Sequence, residues 1–196
     1  MVIGVLALQG GFKAHQKTLD SMDIASREIR LPTDLAGISG LILPGGESST
    51  MLKLLERESL IHKIQQLGAS GIPILGTCAG AILMCEKVTN PIQKSFAFIP
   101  STIERNAYGS QRESFETDFT IPLWKLEHVH ALFIRAPRFT ELGADVHVLS
   151  KHGDDITGIQ YQHYTAVTYH PELTNDSSFH RAWLQQTGLL KVRNKP

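Results

Sequence analysis

Between residues 2 and 75, short apolar runs alternate with segments of helical period, which restricts the chain to strand-helix-strand units laid on a parallel sheet. Residues 2–8 read as a first strand, 12–22 as a helix, 25–30 as a second strand and 41–43 as a third that stops at Pro44-Gly45-Gly46. The hydrophobic period switches from two to 3.6 twice. Ser48, Ser49 and Thr50 offer N-caps to a helix whose Leu52, Leu55, Ile61 and Ile64 fit one buried face, and Gly68 and Gly71-Ile72-Pro73 end it. Residues 72–75 form a fourth strand. A helix over 81–86 is expected directly after Gly76-Thr77-Cys78-Ala79-Gly80.

Beyond Asn90 the pattern is richer in β structure and less regular, with strands expected at 115–121, 131–134 and 146–150 and a hairpin turn at Gly153-Asp154-Asp155. A last strand over 165–169 precedes a helix from about 177 to 186, with Asn175 or Asp176 near its cap and Gly188 beyond its end. At 196 residues the chain suits one domain, 1–196, and is short for two. The expected class is α/β: a mostly parallel central sheet flanked by helices, with a smaller antiparallel β portion in the second half.

Nineteen basic residues balance nineteen acidic ones, so no overall field draws nucleic acid or an anionic membrane. No apolar run approaches the ~20 residues of a membrane-spanning helix. The apolar start is preceded by no basic residue and followed by Gln9-Gly10-Gly11, which is not a cleavage pattern, so it reads as a buried strand. Cys78 and Cys85 on one helix would sit roughly 10 Å apart, too far for a disulfide. Two unpaired thiols favour a reducing compartment, the cytoplasm.

Gly76-Thr77-Cys78-Ala79-Gly80 lies between strand and helix, the setting of a G-x-S-x-G nucleophile turn with sulfur in place of oxygen. Glycines allow a tight turn that lifts the thiol out of the sheet, and a helix N-terminus favours the thiolate. By itself a free cysteine is more often a small core residue. His170-Pro171-Glu172 follows the last strand: the histidine can take and return a proton while the carboxylate holds its tautomer. Pro44-Gly45-Gly46-Glu47-Ser48 is a third strand-loop-helix junction, and N–H groups there and at Ala79 could form an oxyanion hole. An ordinary glycine turn is the plainer reading. His128 and His130 share one side of a strand without an evident third metal ligand, and Cys85 reads as core.

Taken in order, these segments resemble the class I glutamine amidotransferase family, and within it the glutaminase subunits of pyridoxal phosphate synthases. The likeness runs essentially end to end. It is carried by Leu8-Gln9-Gly10, Leu43-Pro44-Gly45-Gly46-Glu47-Ser48-Ser49-Thr50-Met51, the Cys78 turn, Glu104-Arg105-Asn106, Ser114-Phe115-Glu116, Phe133-Ile134-Arg135-Ala136-Pro137 and His170-Pro171-Glu172-Leu173-Thr174. The resemblance implies Cys78 as nucleophile, His170 as general acid and base and Glu172 as the residue that orients it. It implies glutamine contacts at Gly46, Glu47, Ser48, Arg105, Ile134 and Arg135, and an oxyanion hole at Gly46 and Ala79. It further implies hydrolysis of L-glutamine to glutamate and ammonia for a (β/α)8-barrel synthase subunit in a hetero-oligomeric complex, with no cofactor and no metal in this chain. Pyridoxal phosphate would be the product of that complex. Where the family commonly carries an acidic residue before the histidine that follows Leu-Gln-Gly, this chain has Ala14 before His15. A glutaminase for another synthase, such as one making imidazole glycerol phosphate, or a non-catalytic binding module of the same fold are the alternatives.

Overall fold

A computed structural model of the chain describes residues 1–107 and 114–191. Strands β1 (Ile3–Leu6), β2 (Ser26–Ile29), β3 (Gly40–Leu43) and β4 (Ile74–Thr77) arise from the apolar runs of the first half, with helix α1 (Phe12–Asp20) between the first two. Strands β1, β3 and β4 are buried at every residue, as befits parallel strands covered on both faces. Alternate residues serve opposite layers. Leu41 and Leu43 pack in one core with Met51 and Leu55, whereas Ile42 joins Leu19 and Trp183 in the other.

The helix expected after β3 is two helices, α2 (Ser48–Arg57) and α3 (Ile61–Ala69). Ser59 takes a left-handed φ of 57°, Leu60 N–H bonds Leu55 C=O and Ser59 N–H bonds Glu56 C=O, which closes α2 as a Schellman turn. The six-residue step from Leu55 to Ile61 breaks the helical period at that point. Capping also differs from expectation: Glu47, rather than Ser48, Ser49 or Thr50, is the N-cap, its Oε1 accepting from Ser49 N.

Helix α4 spans Ala79–Met84, and Cys85 already opens strand β5 (Cys85–Thr89) instead of continuing a helix over 81–86. All six α4 residues are buried, and Val88 and Thr89 continue as a strand paired with β6 (Ile99–Glu104). A ribbon of β7 (Ser114–Ile121) and β8 (Leu126–Ile134) follows, then β9 (Arg138–Leu142), the hairpin β10 (His147–His152) with β11 (Asp155–Tyr161), β12 (Tyr164–Val167), a 3-10 turn at Pro171–Leu173, and helix α5 (Ser178–Gln186). Strands β5, β6, β9 and β11 escape the sequence reading because their burial does not alternate cleanly, as in the buried-exposed-exposed-buried-exposed order of β5.

The main sheet runs β2-β1-β3-β4-β12-β11-β9-β6-β5, with β10 added on β11. From β2 to β12 every pairing is parallel; β12-β11, β11-β9 and β9-β6 are antiparallel. The step that matters for the site is β4 beside β12. Thr77 is in register with Val167, so the residues after both strands emerge at the same sheet edge. No helix among the described residues is long and apolar enough to cross a membrane.

Candidate active site

Cys78 leaves β4 with φ 48° and ψ −102°, a conformation that L residues other than glycine rarely hold and that costs about 1–3 kcal/mol. Its N–H is tied to Val167 C=O at 2.8 Å, which anchors the turn to the neighbouring strand. The thiol sits at the start of α4, at 7% exposure. A strained turn fixed from both sides is what presents a side chain outward from a sheet.

His170 comes off β12 and is pinned a second time, because its N–H bonds Leu132 C=O of β8 at 2.8 Å. Its Nδ1 lies 2.7 Å from Glu172 Oε1, leaving Nε2 for the contact with Cys78. Burial opposes a charged imidazole, but the hydrogen bonds to Cys78 and Glu172 and their negative charges outweigh it and push His170 up to about 10. Burial also works against an ionised Glu172, and His15 and His170 together overcome it, so the carboxyl stays below its ordinary range. Burial holds His15 itself below the usual histidine range, although Glu172 opposes the shift.

Loop 44–47 passes directly over this pair. A Cβ on Gly45 would stand 2.2 Å from His170 Cε1, so only glycine lets the loop approach the imidazole. Gln9 brackets the backbone of Glu47, its Nε2 donating to Glu47 C=O at 3.0 Å and its Oε1 accepting from Glu47 N–H at 3.4 Å. Glu47 Oε1 also accepts from Ser49 Oγ and from Arg105 Nη2, each at 2.9 Å. Partial burial pushes the Glu47 carboxyl up, and Ser49, Arg105 and Arg135 together bring it below the ordinary value.

A cavity of about 230 Å³ opens between these parts, lined by Gly46, Glu47, Ser48, Cys78, Ile82, Arg105, Asn106, Ile134, Arg135 and His170. All six residues expected to contact substrate therefore meet around Cys78 and His170. Ala79, expected as an oxyanion donor, is buried and is not part of that lining, although its N–H, first in α4, has no acceptor within the helix. The Ser48 hydroxyl is engaged with Gln93 Oε1 at 3.0 Å. Arg135 is exposed, has φ 42°, and makes no ion pair among the described residues.

Several side chains at the site were not singled out from the sequence. Ile82 and Asn106 complete the cavity wall; Asn106 at least stands inside the Glu104-Arg105-Asn106 motif. His15 and His180, both fully buried, extend behind Glu172; the sequence marks His15 only as the histidine that follows Leu8-Gln9-Gly10, and His180 only as a histidine on the buried face of a helix. By contrast His130 bonds Asp118 at 2.8 Å and Glu116 at 3.2 Å on the exposed ribbon, with His128 3.4 Å from the same Asp118. Among the described residues no cluster of three or more such side chains is arranged to hold a metal ion.

Comparison with known proteins follows the same outline. The SNO glutamine amidotransferase family matches residues 5–188. The pyridoxal 5'-phosphate synthase subunit PdxT of Desulforamulus reducens is 44% identical over 185 residues, covering 94% of this chain and 98% of that protein. The subunit of the same name from Deinococcus radiodurans is 42% identical over 193 residues, covering 96% and 98%. A crystal structure of a glutamine amidotransferase superposes with a TM-score of 0.90 at 38% identity, covering 96% of this chain and all of the other.

Proposed function

We propose, from the premise that this chain belongs to the SNO glutamine amidotransferase family, that Cys78, His170 and Glu172 hydrolyse L-glutamine in the cavity bordered by Cys78 and His170. The chain is a glutaminase subunit of pyridoxal 5'-phosphate synthase and supplies ammonia to a synthase subunit. We read residues 1–196 as one glutaminase domain, the synthase subunit as a (β/α)8 barrel, and the cytoplasm as the compartment that suits two free cysteines.

The observation that carries the catalytic reading is a thiol on a strained turn against an imidazole whose other nitrogen is 2.7 Å from a buried carboxylate. His170 takes the thiol proton, and the imidazolium so formed stabilises the Cys78 thiolate. The thiolate attacks the side-chain amide carbon of glutamine, and the carbonyl oxygen becomes an oxyanion directed at the N–H groups of Gly46 and Ala79. His170 returns the proton to the amide nitrogen, the C–N bond breaks and ammonia leaves, with a thioester remaining on Cys78. Water, deprotonated by His170, then displaces the sulfur and glutamate departs. Glu47 accepts from the substrate ammonium. Arg135, unlike Arg105, is not tied to Glu47 and is the guanidinium available to the substrate carboxylate.

Free ammonia would be protonated in water and lose its nucleophilicity, so its release is useful only beside a docked synthase. The Gly45–Gly46 peptide is held by Gly11 N–H on Gly45 C=O at 3.0 Å, and docking would have to release that bond to turn the peptide N–H toward the oxyanion. Glutamate release should rise sharply when the synthase subunit is added. Equal rates with and without the partner would sink this coupling. Cys78→Ala should abolish pyridoxal phosphate formation from glutamine and preserve it from ammonium salts; loss of both, or of neither, would count against the assignment.

A further inference from the structure

Glu172 has two oxygens, and the catalytic reading of the triad accounts for one of them. Oε1 faces His170. Oε2 is buried without a hydrogen-bond partner, and the one basic nitrogen within ion-pairing reach of it among the described residues is Nε2 of His15, at 3.5 Å. Catalytic hydrogen bonds in unliganded sites are commonly long and tighten once substrate is bound. The same Nε2 is 3.2 Å from Thr77 Oγ1, one residue before the nucleophile, and His15 Nδ1 is 2.9 Å from His180 Nε2. Neither histidine touches solvent.

The chemistry of these partners selects one tautomer for each ring. A carboxylate accepts and cannot donate, so a bare lone pair on His15 Nε2 would repel Oε2; the hydrogen therefore belongs on Nε2. Nδ1 of His15 is then an acceptor, and His180 must present Nε2–H to it. That leaves His180 Nδ1 as a bare acceptor, consistent with its being buried without a partner. The opposite arrangement would bury an orphaned N–H at His180 and set a lone pair against the carboxylate, two faults in place of one. The groups facing His15 are Thr77 from β4, His180 from α5 and Glu172 from the 3-10 turn, with the His170 charge beyond and Asp176 acting on His180.

We propose that His15, backed by His180, is a positioning residue of this active site: its Nε2–H holds the second oxygen of Glu172 so that the first stays aimed at His170 Nδ1. The inference rests on the glutaminase reading of Cys78, His170 and Glu172. The frame for it is the turn before α1. Gly10 has φ 85°, and a Cβ there would meet Gly45 C=O at 2.0 Å, while Gly11 N–H bonds that same carbonyl at 3.0 Å. One turn thus delivers His15 to Glu172 and holds the loop over His170.

The test compares His15→Gln, His15→Asn and His15→Leu in the full chain assayed with its synthase subunit. A Gln amide reaches the place of Nε2 and keeps the donor toward Glu172. An Asn amide reaches only the place of Nδ1, and Leu removes both. We expect Leu and Asn to lower kcat about 10- to 100-fold with little change in KM, and to move the acid limb of kcat/KM to higher pH, because Glu172 without its donor is protonated more readily. Gln should recover most of both. Should the Leu variant fail to fold, the two polar variants still decide the matter, being alike in size and differing in which nitrogen they replace. Equal kcat and equal acid limbs for Gln and Asn, or a wild-type profile for either Asn or Leu, would overturn the positioning role. Failure of the underlying reading looks different: wild-type protein with its synthase would neither release glutamate nor be alkylated at Cys78 by a chloroketone analogue of glutamine.

Discussion

The two cysteines stand at opposite ends of the same short helix, and they live in contrasting surroundings. Cys78, before α4, occupies a left-handed backbone position, borders the cavity and meets His170. Cys85, after α4, is fully buried among Leu83, Ile99 and Ile103, its Sγ donates to Ala81 C=O at 3.3 Å, and burial pushes its thiol up to about 12. One residue type thus stands on a cavity wall beside an imidazole at one end and is sealed in the core at the other. Reactivity belongs to the backbone turn and to the histidine delivered by a neighbouring strand.

The largest effect that could break this contrast is on turnover. Cys78→Ala should lower glutamate release by about 10⁴-fold or more, with Cys85→Ala within about twofold of wild type in the same assay. Comparable losses from both would erase the distinction. Next, Glu172→Gln should lower kcat by about 10²- to 10⁴-fold, because the imidazolium at His170 loses the negative charge facing Nδ1. Gly45→Ala should cost about 10²-fold in kcat, since its Cβ would push into the His170 ring, and steady-state kinetics of the assembled synthase would report it.

Smaller effects sharpen the other end. Cys85→Ala should reduce unfolding free energy by about 1 kcal/mol in urea titration, the usual cost of a small void in a packed core. Every strongly shifted histidine lies at the Cys78 end, so pH acts there. Burial, aided by His15, drives His180 down to about 3. Its unfolded value is near 6.5, so the neutral folded ring contributes stability above that pH, and the contribution is lost as pH falls from about 6.5 toward 3. His15 is depressed in the same direction. The urea midpoint should therefore fall between about pH 6.5 and 4, and fall less in His180→Asn; an unchanged slope would remove these histidines as its cause.

Much of the site was legible because its parts are local. The Cys78 turn, loop 44–47 and His170-Pro171-Glu172 each announce themselves by glycine, proline and apolar spacing within a few residues, and all three meet in the structure as the resemblance implied. The parallel half of the fold was legible for the same reason, since strands buried on both faces read as continuous apolar runs. The second half was legible only in part, since β7, β8 and β10 fall where strands were expected and β5, β6, β9 and β11 do not. Strands such as β5 and β9 are only half covered, and their identity depends on partners far along the chain.

From the sequence came the α/β class, the Cys78 turn and the His170-Pro171-Glu172 segment, set by backbone requirements that short motifs encode, and, through the family resemblance, six of the residues around the cavity. The tertiary structure alone decided where α2 stops, that Glu47 caps it, and that His15 and His180 lie behind Glu172. Those outcomes follow from which buried groups face one another across separate elements, and burial without a partner is costly enough to fix them.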